Sequence, residues 1–180
     1  TVPIYNLVVN SINSPTAQLV TNGLTVKNDV AISGGTLNAN NLNLNVGGNW
    51  TNNGSFTQGT ATVTFNGTAP QTLSGATTFN NLTFSDVGLK TISSNASVTV
   101  NGALNQASGS TLTIASTGAS AAGSLIVNGS KNIAGTVNVQ RYLPTENWHL
   151  ISSPVSGQTL DGFAVANAIQ LDAPTNTYDI

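Results

Sequence analysis

Apolar residues separated by one polar or small residue recur along the chain. The pattern begins as "LVVN" at Leu7, "LTVKN" at Leu24, "LNLNV" at Leu42, "VTFNG" at Val63 and "LTFS" at Leu82. It continues as "VTVNG" at Val98, "LTIA" at Leu112, "LIVNG" at Leu125 and "VNVQ" at Val137. These nine units start 17, 18, 21, 19, 16, 14, 13 and 12 residues apart. Side chains two positions apart in a strand share one face, so each unit predicts a short strand with one buried face. Leu24, Val26, Val63, Phe65, Leu82, Phe84, Val98, Val100, Leu112, Ile114, Leu125 and Val127 form the expected core. Helical patterning is confined to Phe163–Leu171.

A strand of this length cannot bury its apolar face alone. Stacked repeats that cover one another do so, which predicts an all-β fold: a right-handed parallel β-helix, or β-solenoid, with each unit read as one coil. Sharp corners are supplied by Asn-Gly at Asn22, Asn53, Asn66, Asn101 and Asn128, a pair that tolerates left-handed backbone angles. Stacked Asn side chains can then hydrogen-bond from coil to coil as an amide ladder. Asn-Gly pairs also serve as hairpin turns in a β-sandwich, which antiparallel pairing of consecutive units would reveal. Trp50 and Phe56 read as core aromatics, with a sugar-stacking platform as the alternative.

Charge narrows the function classes. Only 6% of the 180 residues are Asp, Glu, Lys or Arg, against about 25% in ordinary soluble proteins. Hydroxyl and amide groups must therefore carry solubility. A net charge of −2 offers no basic field for phosphates, which argues against nucleic acid as a partner. The chain has no Cys, so thiolate metal sites, disulfides and thiol nucleophiles are excluded. No apolar run reaches the ~18 residues of a membrane-spanning helix. The opening "TVPIYNLVVN", without Met, implies a processed chain or a piece of a longer polypeptide.

Catalytic constellations are sparse. A glycosidase needs two carboxyl groups roughly 5–9.5 Å apart, and the array offers only Asp29 and Asp86. Those lie three units from one another, or about 14 Å at one strand spacing per unit. His149, with Ser152 or Ser153 and Asp161, lacks the glycine framing of a nucleophile elbow. Neither metal-ligand spacing nor a phosphate-loop pattern occurs, so no catalytic residue, cofactor or metal is expected and the chain reads as a non-enzyme. Asn-x-Ser/Thr triplets at Asn49, Asn53, Asn66, Asn81, Asn95 and Asn128 follow from composition.

The stretch "NLNLNVGGNWTNNGSFTQGTATVTFNGTAPQTLSGATTFNNLTF", Asn41–Phe84, resembles the repeat region of large surface proteins of Bacteroidetes: cell-surface adhesins and related proteins exported by the type IX secretion system. "VQRYLPTENWHLISSPVSGQTL", Val139–Leu160, is similar to the segment where such arrays hand over to another β domain. The resemblance implies a bacterial cell-surface or extracellular location. It implies the type IX machinery as a partner during export, and surface glycans or other cell-surface proteins as later partners.

The handover is also visible in composition, since Arg141, Glu146, His149, Asp161 and Asp172 bring charges that the repeats avoid. The expected organisation is a repeat array over 1–140 and a cap, or the start of a following β domain, over 141–180. Tyr142, Trp148 and Leu150 would cover the end of the array. Two functions fit best: a rigid extracellular scaffold within a larger exported surface protein, or a binding module whose outward threonines (Thr25, Thr64, Thr83, Thr99 and Thr113) match a regular ligand such as a glycan or ice; a polysaccharide-active β-helix enzyme ranks third.

Overall fold

A computed structural model describes residues 3–11, 13 and 15–142, together with the backbone of 171–172 and 177–178. The chain divides into two units, Thr1–Tyr142 and Leu143–Ile180. Within the second, two short strands pair antiparallel, Leu171–Asp172 with Thr177–Tyr178. The first unit is a parallel β-solenoid of about six coils, and no helix occurs among the described residues.

Strands are numbered in chain order. Side one stacks β1 (Leu7–Val9), β4 (Val30–Ile32), β7 (Trp50–Asn52), the first half of β10 (Gln71–Phe79), β12 (Leu89–Ile92), β15 (Thr111–Ile114) and β20 (Thr136–Val139). On side two lie β2 (Thr16–Gln18), β5 (Thr36–Asn38) and β8 (Ser55–Thr57), then the second half of β10 with β13 (Ser97–Val100) and β18 (Ser124–Val127). Side three stacks β3 (Leu24–Val26), β6 (Leu44–Val46), β9 (Thr62–Phe65), β11 (Asn81–Phe84), β14 (Leu104–Gln106) and β19 (Lys131–Ile133). A small antiparallel hairpin, β16 (Ser116–Gly118) with β17 (Ala121–Ala122), interrupts the sixth coil. All other pairings among the described residues of this unit are parallel, which removes the sandwich alternative.

One coil therefore takes three strands. The nine sequence units are not nine coils: Leu24, Leu44, Val63 and Leu82 mark successive coils on side three, whereas Val98, Leu112, Leu125 and Val137 alternate between sides two and one. The shrinking spacing records steps within a coil. Strands β2, β5 and β8 escaped the pattern because their phase is inverted. In β5 only the central Leu37 is buried, between the half-exposed Thr36 and Asn38.

Inward side chains form columns. One runs Leu24, Leu44, Val63, Leu82, Leu104; beside it run Val26, Val46, Phe65, Phe84. Of the twelve expected core residues, Leu24, Ile114, Leu125 and Val127 are only partly buried and the others are buried. Trp50 has no exposed surface and meets Phe56 edge-on at 5.0 Å and Phe79 at 5.4 Å. These rings fill the core, and the stacking-platform alternative falls.

Side-chain oxygens that accept backbone N–H groups of the next coil lock the coils together. Asn6 Oδ1 accepts the Asp29 N–H at 3.1 Å, Asp29 Oδ1 accepts the Asn49 N–H at 2.7 Å, and Asn49 Oδ1 accepts the Thr72 N–H at 2.8 Å. Three consecutive coil interfaces are thus joined through one register position. On side three, Asn43 and Asn81 accept from Thr62 N–H and Ala103 N–H, each at 2.9 Å. At Asn-Gly corners the glycine has a different role from the expected one. Among the described residues, the left-handed ones are Asn40, Asn41, Asn95, Gly35, Gly59, Gly75 and Gly109, none of them the glycine of an Asn-Gly pair. Those glycines are needed for close approach: a Cβ on Gly67 would strike the Gly47 carbonyl oxygen, and one on Gly129 the Gly102 oxygen.

Candidate binding face and the buried polar column

On side three the central residue of each strand points outward. Parallel register stacks Thr25, Asn45, Thr64, Thr83, Asn105 and Asn132 in one column, with neighbours about 4.8 Å apart. All are half-buried except Asn132, which is exposed. Asn45 Nδ2 donates to Thr25 Oγ1 at 3.5 Å, while the Thr64 and Thr83 hydroxyls have no protein hydrogen bond among the described residues. The column offers donors and acceptors at a fixed repeat, with no charge.

The five threonines expected to share a face do not share it. Thr25, Thr64 and Thr83 lie together on side three; Thr99 stands on side two between Thr78 and Ile126, and Thr113 on side one between Thr91 and Asn138. The cause is the three-sided coil, which distributes identical motifs over different sheets. Asn45, Asn105 and Asn132 complete the side-three column, and a constant coil register would have revealed them.

The carboxylates stay apart. Asp29 is a ladder member at the corner before β4, and Asp86 accepts the Val87 N–H at 2.7 Å at the corner before β12. Both sit at the corner leading from side three to side one, three coils apart, or about 14 Å at one strand spacing per coil. Among the described residues no group of three His, Cys, Asp or Glu could hold a metal, and no helix is long and apolar enough to cross a membrane. His149, Ser152, Ser153, Asp161, Trp148 and Leu150 lie outside the described residues. Tyr142 is 43% exposed, and its backbone N–H donates to Ser116 Oγ at 3.0 Å.

Sequence reasoning missed a polar column inside the solenoid. Gln71, Lys90 and Leu112 occupy equivalent inward positions on side one. Gln71 and Lys90 are fully buried, while the neighbouring Leu89 is 42% exposed. Together they hold the backbone of one residue, Gly67, at both its N–H and its carbonyl. Gln71 Oε1 accepts the Gly67 N–H at 3.0 Å, and Lys90 Nζ donates to the Gly67 carbonyl at 2.8 Å. Gln71 Nε2 donates onward to the carbonyls of Val46 (3.0 Å) and Gly48 (2.6 Å). Burial pushes the Lys90 ammonium below the usual lysine range, opposed in part by the charge of Asp86. The available signal was alternation: Lys90 and Ile92 keep the phase of Leu112 and Ile114, one coil on.

Compared with family models, curated proteins and solved structures, the chain matches none.

Proposed function

We propose that this chain is a non-enzymatic extracellular scaffold: a rigid β-solenoid segment of a larger exported bacterial cell-surface protein, which holds a distal domain away from the cell or contacts surfaces itself. The observation that carries this reading is the ladder Asn6, Asp29, Asn49, Thr72, where each side-chain oxygen of one coil takes a backbone N–H of the next. Such bonds, two through amide oxygens and one through the Asp29 carboxylate, oppose bending between coils. Resemblance to Bacteroidetes surface proteins supplies the location, and the type IX machinery as partner during export. If the segment is a spacer, cells displaying a binding domain on it should lose adhesion when it is deleted and recover it with an unrelated rod of equal length. Failure of the substitute rod would overturn the spacer role.

A second reading is favoured by the uninterrupted Thr/Asn column of side three, which would present a regular ligand, a glycan or ice, with hydroxyl and amide groups at a constant repeat. Binding of the purified chain to a glycan array or to ice, abolished by Thr64→Lys with Thr83→Lys, would support it. The same double substitution should leave a pure spacer unaffected.

A further inference from the structure

We propose that the fold leaves the Asn-Gly pairs at Asn22 and Asn128 open to asparagine deamidation and shields those at Asn53, Asn66 and Asn101. The reaction begins when the glycine backbone nitrogen, having lost its proton, attacks the asparagine Cγ. A new C–N bond forms, ammonia leaves with the proton it needs, and a succinimide ring results. Water then opens the ring at either carbonyl, giving aspartate or isoaspartate, so that overall one water is consumed and one ammonia released. A glycine N–H held in a hydrogen bond resists both deprotonation and the rotation that brings the nitrogen onto Cγ, and it reacts only after that bond opens.

Three pairs are held in this way. The Gly54 N–H donates to Asn52 Oδ1 at 3.2 Å, and Asn52 is only 4% exposed. Gly67, itself buried, donates to Gln71 Oε1 at 3.0 Å inside the polar column. Gly102 donates to the Asn80 carbonyl at 2.7 Å. At the other two pairs no described residue accepts from the Gly23 N–H or the Gly129 N–H, and Asn22 is exposed. Asn128 is exposed too and belongs to the sixth coil, whose strands β18 and β19 are among the most open of the solenoid.

The product would alter the coil interface. Asn128 Nδ2 donates to Asn101 Oδ1 at 3.0 Å, and a carboxylate in its place sets two acceptors against each other. Isoaspartate also adds a methylene to the backbone just before β19, whose register with β14 depends on that corner. Deamidation at Asn128 therefore loosens the sixth coil on the fifth and adds negative charge to a charge-poor surface.

The test is peptide mapping by mass spectrometry, with isoaspartate detection, of the intact protein aged in mildly alkaline buffer, once native and once in denaturant. In denaturant the five pairs should convert at similar rates. In the native protein Asn66 and Asn101 should slow by about tenfold or more, the factor that one retained hydrogen bond provides, while Asn22 and Asn128 stay within a few-fold of their denatured rates. The proposal is overturned if Asn22 or Asn128 is slowed as much as Asn66 and Asn101, or if those last two convert natively as fast as in denaturant.

Discussion

The Trp50 indole N–H donates to the Thr77 hydroxyl at 3.0 Å, joining side one of the third coil to side two of the fourth. Asn52 Nδ2 donates to the same hydroxyl at 3.1 Å and to the Ala76 carbonyl at 2.7 Å. A buried indole N–H needs such a partner, and the shared acceptor ties two coils within the aromatic core. Thr77→Val should cost about 1–3 kcal/mol, the penalty for stranding a buried donor. Trp50→Phe should cost about as much again through lost volume. Because both act on one bond, the double variant should fall short of the sum. Denaturant unfolding of all four forms would measure the coupling, and simple additivity would rule it out.

Phe65 and Phe84 stack in adjacent coils with ring centroids 5.7 Å apart and no exposed surface. Either one changed to Ala should lose about 3–5 kcal/mol. Thr83→Ala, on the outward column, should lose less than about 0.5 kcal/mol. Equal losses at Phe84 and Thr83 would contradict the assigned strand phase.

Gly67→Ala places a methyl group against the Gly47 carbonyl oxygen, where the backbone must shift. A loss of about 1–3 kcal/mol is expected, as for other overpacked sites. Gly118, whose Cβ would find only the Ala121 side chain at 3.7 Å, is the control and should tolerate Ala. Thermal unfolding of the two variants distinguishes close approach from a general intolerance of substitution at glycine.

The buried Lys90 makes stability depend on pH in the alkaline range. Its lowered pKa means that the folded chain releases this proton before the unfolded chain does, whose lysine titrates near the ordinary 10.5. Between those two values the unfolded state binds more protons, so stability rises with pH. The gain is fully present above 10.5 and is lost as pH falls through the lowered folded value. Lys90→Met should remove this rise, although the Gly67 carbonyl then loses its donor. Unfolding free energies of both forms from neutral to alkaline pH would show it, and parallel curves would refute it.

Apolar-x-apolar spacing, Asn-rich corners and scarcity of charge were enough to specify an all-β stacked fold and most of its core, because strand phase is a local property. The coil itself was not local. Whether Thr99 lies beside Thr83 or on another side depends on how many residues each corner takes, and strands such as β5, with a single inward Leu37, leave no apolar pair to count. The same dependence placed Lys90 inside. Taken alone, "LKTI" points Leu89 and Thr91 to one face and Lys90 and Ile92 to the other, with nothing local to decide which is core. Pairing with Leu112 and Ile114 in the next coil, and the free carbonyl of Gly67 in the coil before, made the decision. Long-range register determines which side chains share a column, and only the assembled coils contain it.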